Sequence, residues 1–140
     1  MKIDYLEDGS ERCPLIRLYD FQSDEARSLI KAFESLANGT TNEISLGAIV
    51  PIDTIDGTQI TFVRNELGQG VIEKERFRFA LALPAEQWRL NAEIVEPFSN
   101  GTFGYQWLAP ETSGIVLSSR KMSKNEEMQE FASVTVPLYV

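Results

Sequence analysis

The chain has no histidine, a single cysteine and no apolar run long enough to cross a bilayer. Without histidine there is no imidazole general base, no Ser-His-Asp or Cys-His triad and no imidazole metal ligand. Zinc would have to be held by one thiolate and carboxylates, an improbable donor set. Cys13 has no partner for an internal disulfide, so a disulfide framework is excluded. The first residues, MKIDYLEDGSERC, lack the apolar core of a signal peptide, and a cytoplasmic location is expected. The glycines are equally uninformative about cofactors. Gly68-Gln69-Gly70 lacks the third glycine and following helix of a dinucleotide fingerprint, and no Walker lysine pattern is present.

Basic residues are also scarce. The 140 residues include 21 acidic and 13 basic, a formal charge of −8. The imbalance is diffuse: nine acidic and five basic in 1–43, five and four in 44–83, seven and four in 84–140. A nucleic-acid or anionic-membrane surface would need the opposite sign, so neither partner is expected. The length suits one domain over 1–140, with 1–13 expected to be loosely ordered. Asn38-Gly39-Thr40 and Asn100-Gly101-Thr102 have sequon form but read as Asn-Gly turns.

The remaining pattern predicts an α+β fold of order β-α-β-β-β-α-β-β-(α)-β, a mainly antiparallel sheet with two main helices packed on one face. Leu15–Tyr19 is apolar on both faces and reads as an interior strand. Ala26, Leu29, Ile30, Phe33, Leu36 and Ala37 form a helical stripe over 24–37. Asp24 and Glu25 favour its start, and Asn38-Gly39 its end. Alternation predicts strands over 43–50, 58–64 and 71–83, joined too tightly for helical crossovers and hence antiparallel. A second helix is expected over 85–95, started by Pro84 and ended by Pro97, with Trp88 on its core side. Strands at 103–108, 115–117 and 132–140 follow, with a short helix suggested within 120–131. The last strand, with Val134, Val136 and Leu138 on one side, could pair two copies into a homodimer.

Few residues suggest chemistry. Glu73 and Glu75 are expected on one face of the 71–83 strand, where paired carboxylates could form a polar rim. Tyr105 and Trp107, on one face of a later strand with Phe103, could wall a ligand pocket. Lys74, Arg76 and Arg78 would make a basic ladder; Arg76 and Arg78 are candidates for an anion or an acidic partner. Each feature has a plainer reading as solvated sheet face or core. No catalytic residue, metal ligand or cofactor is assigned. A small soluble, non-catalytic binding or regulatory domain engaging another protein, with a basic partner suiting the acidic charge, is the least demanding reading. The alternative is a small-molecule binder or carboxylate enzyme using Glu73 and Glu75 with Tyr105 and Trp107.

Overall fold

The computed structural model describes residues 1–6, 15–101, 105–108 and 115–118. Within them the architecture is α+β, with two main helices, as the sequence pattern implies. The strands divide between two mixed sheets. Lys2–Leu6 (β1) and Leu15–Tyr19 (β2) pair antiparallel. Asp53–Thr54 (β4) adds to β1 in parallel; Ile115–Ser118 (β9) adds to β2 in parallel and to Tyr105–Leu108 (β8) in antiparallel. The first sheet thus has the order β4-β1-β2-β9-β8, and β2 is interior as expected. The second sheet contains Glu43–Ser45 (β3), Gln59–Arg64 (β5), Gly70–Glu75 (β6) and Arg78–Leu83 (β7) in the order β3-β5-β7-β6.

Several expectations are corrected. The start of the chain is not loose at 2–6; it forms β1. Within β1 the carboxylate of Asp4 is buried, because Arg17 on β2 lies opposite it and donates from Nε to Asp4 Oδ1 at 2.7 Å. A second guanidinium nitrogen reaches Asp4 Oδ2, making the pair bidentate, the geometry that best offsets desolvation of two charges. The 43–50 segment is strand only to Ser45, then turns into a four-residue helix, Leu46–Ile49 (α2). The expected single strand 71–83 is a hairpin turning at Arg76-Phe77. Phe77 takes a left-handed backbone (φ 63°), which usually costs a non-glycine residue about 1–2 kcal/mol. Its ring contacts with Tyr5 and the Arg76 guanidinium oppose that cost. The hairpin places β7 between β5 and β6. Consequently β3 and β5 are antiparallel as expected, but β5 and β7 run parallel.

The first main helix spans Ser23–Asn38 (α1) and ends where Gly39 adopts a φ of 82°. A methyl group at Gly39 would also press to 2.6 Å from the Arg64 guanidinium, but that is the end of a flexible side chain that can move aside, so it is the left-handed backbone that calls for glycine. The second spans Ala85–Ser99 (α3). Pro97 lies in its last turn instead of ending it, since the missing N–H removes only one late bond of the ladder. The two helices share one core with both sheets. At its centre Phe33 of α1, Phe62 of β5 and Trp88 of α3 form a triangle with centroids 5.1–5.4 Å apart. Each such ring, fully buried, contributes roughly 1.5–3 kcal/mol relative to exposure. The Trp88 indole N–H also donates to the Val63 carbonyl at 3.1 Å. Tyr5 of β1 packs against Phe79 of β7 at 4.9 Å, joining the two sheets.

Cys13, the expected helix within 120–131 and the strand 132–140 proposed for dimerisation lie outside the described residues.

Candidate functional site

Among the described residues, the bend from β3 into α2 shapes a concavity. Because β3 stops at Ser45, it covers only Thr61, Phe62 and Val63 of β5. The chain then passes through α2 to β4, at the edge of the other sheet. A cavity of about 400 Å³ opens between these segments. Ile3, Leu46, Ile60 and Thr58 are its buried floor. Ile52, Thr54 and Thr61 form half-buried walls, while Ser45, Gly47 and Gln59 are exposed at the mouth. The volume falls in the range of small-molecule sites, roughly 300–1,000 Å³.

Its chemistry is uniform. Among the described residues, the lining has aliphatic side chains, hydroxyls, one carboxamide and no ionisable group. The carboxylate of Asp56, bonded to two lining threonines, is committed to structure. Its Oδ1 accepts from the Thr54 hydroxyl (3.1 Å), the Thr58 backbone N–H (3.0 Å) and the Thr58 hydroxyl (2.6 Å). Its Oδ2 accepts from the Tyr5 backbone N–H (3.0 Å). Partial burial alone would raise the Asp56 pKa, but the bonds from Thr58, Tyr5 and Thr54 outweigh it and hold the group below the usual carboxylate value. Asp56 therefore remains an acceptor at neutral pH and is unsuited to giving up a proton there. Asp56-Gly57 is a local turn signal legible in the sequence, and Gly57 does take a φ of 79°. The turn's role as a clamp on β1 was not, because Tyr5 lies 51 residues away.

That clamp fixes the loop carrying Ile55, whose side chain is 90% exposed. Thr54 and Thr58, on either side of it, are both cavity residues held by Asp56.

The residues singled out from sequence lie elsewhere. Glu73 and Glu75 are exposed on β6 and do not line this cavity. A register irregularity between them pairs Glu73 with Phe79 and Glu75 with Arg78. They therefore do not share one face, as uninterrupted alternation would require. Lys74, Arg76 and Arg78 likewise form no single-strand ladder: Lys74 is on β6, Arg76 in the turn and Arg78 on β7. Arg78 lies 4.0 Å from Glu75 at an exposed position, and Arg76 stacks over Phe77. Tyr105 and Trp107 lie on β8, an edge strand of the other sheet. Alternation places several cavity residues in the expected strands 43–50 and 58–64, but it does not show that they meet, since the lining comes from four separate stretches of chain.

Among the described residues no three of His, Cys, Asp and Glu are grouped as metal ligands, and no helix is long and apolar enough to cross a membrane. Fold and cavity define an α+β protein with a neutral concavity between two sheets. No family model, curated protein or solved structure matches the chain.

Proposed function

We propose that the protein is a small non-catalytic binding domain that engages another protein through the face formed by the Ile55 loop. The observation that carries this reading is the exposed Ile55 on a turn pinned by four hydrogen bonds to Asp56. An apolar side chain carried on a backbone already held in place costs less ordering on docking than one on a loose loop, which favours its use as an anchor. Lone exposed apolar residues are common, so it is the combination of exposure and pinning that supports the reading. Asp53, exposed on β4 two residues away, and the −8 charge suit a partner with a basic rim. A cytoplasmic setting without nucleic-acid or membrane partners belongs to the same reading.

Affinity capture at low and high salt, with Ile55→Asp as the variant, tests it. The expected result is a partner retained by the wild type at low salt, released at high salt and lost with Ile55→Asp, whose melting temperature is unchanged. No partner retained at low salt, or retention indifferent to Ile55→Asp, would overturn the proposal.

A further inference from the structure

We infer that the cavity beneath α2 is a binding site for a small uncharged ligand with an aliphatic body and a hydrogen-bonding head such as a carboxamide. The arrangement is graded from floor to mouth. Ile3, Leu46 and Ile60 offer apolar surface below. The hydroxyls of Thr54 and Thr58, deeper in, are already given to Asp56. The polar capacity left for a ligand therefore lies at the mouth. There the Ser45 and Thr61 hydroxyls are 3.4 Å apart, a loose contact that leaves both able to donate and accept. Gln59 adds an exposed carboxamide. These three groups are neutral and each both donates and accepts, the complement of an amide or alcohol head. A carboxylate or ammonium would be partly desolvated with no opposite charge in the described lining.

Gly47 stands at the mouth, exposed and without a side chain. A methyl group added there would meet nothing within 4 Å, so a larger side chain fits without strain. Glycine is also the weaker helix former, so replacing it does not threaten α2. Small-ligand binding here does not depend on Ile55 docking to a protein, and either proposal can fail alone.

The test uses three probes that share a six-carbon chain: hexanamide, hexanoate and hexylammonium. Each is titrated while backbone amide resonances are followed. Hexanamide is expected to shift residues 45–47 and 58–61 with an affinity on the order of millimolar, as befits so small a probe. Both charged probes should bind at least about tenfold more weakly. Gly47→Leu should abolish the hexanamide shifts while the protein keeps its melting temperature. Thr61→Val, which leaves the cavity open, should weaken binding about three- to tenfold through the lost hydroxyl. Equal or tighter binding of either charged probe would overturn the ligand class. The absence of hexanamide shifts at residues 45–47 and 58–61 would overturn the site. Shifts untouched by both substitutions would do so as well.

Discussion

At the scale of single residues, Asp56 joins two parts of the chain. One carboxylate closes its own turn through Thr54 and Thr58 and ties that turn to the β1 backbone at Tyr5. Asp56→Ala is expected to cost about 2–3 kcal/mol, because several donors lose a charged acceptor together. Asp56→Asn should cost less. It keeps one acceptor oxygen for the threonines but sets an amide N–H against the Tyr5 N–H. The pH dependence follows from the lowered pKa. The stabilisation is fully present above the unfolded value near 3.8 and is lost as pH falls through the lower folded value. Urea titrations from neutral pH to about pH 3 should show a stability loss in that acidic window that is smaller in Asp56→Asn. An identical decline in both proteins would contradict this assignment.

Phe77 shows at the same scale why the β6–β7 hairpin was hidden. Residues 73–79 contain no glycine, proline or asparagine to announce a turn, and their alternation runs straight through it. The turn depends on a left-handed phenylalanine, a conformation sterics make uncommon and tertiary ring contacts sustain. Local pattern carries no record of such contacts. Asp4 is a similar case: its burial depends on an arginine 13 residues later.

At the scale of elements, α1 was the most legible. Its apolar stripe, acidic first turn and glycine stop are all local signals, and the helix bounds fall within one residue of those expected. One function of the first turn was not visible. Glu25 Oε1 accepts the Gln22 backbone N–H at 3.0 Å, and its Oε2 accepts the Met1 amino group at 2.7 Å. The same amino group donates to the Pro51 carbonyl at 3.1 Å, linking α1 to the segment leading into β4. Glu25→Ala should therefore destabilise the protein by about 1–2 kcal/mol, with Glu25→Gln intermediate because it keeps a capping oxygen but loses the charge. Equilibrium urea unfolding of the two variants checks the order. By contrast, the exposed Arg89 with Glu86 and Glu93 on α3 is ordinary helix-surface pairing. Arg89 does hold the Glu86 pKa below its usual value.

For the whole molecule, the fold class was readable because composition, helix stripes and strand alternation agree. Sheet membership was not. The parallel pairing of β2 with β9 joins Ile16 to Ile115, and that of β1 with β4 joins Ile3 to Thr54. Nothing local specifies such partners; they follow from how the core closes. The cavity is a product of the same closure, which is why Ser45, Gln59 and Thr61 read in the sequence only as polar positions of alternating strands and not as parts of one site. These distant pairings carry loop-closure costs before any contact repays them. Refolding followed by stopped-flow circular dichroism should accordingly occur on a scale of milliseconds to seconds. A dominant microsecond phase would argue against this topology.

Trp88 gives the molecule a built-in optical gauge. Its indole is shut away from water between Phe33 and Phe62, and its N–H is held by Val63. An indole in such surroundings emits at shorter wavelength than one facing solvent, and dissolved quenchers reach it poorly. The colour contributed by this one ring therefore reports whether α3 is seated on β5. Unseating the helix would turn its emission red and open it to iodide.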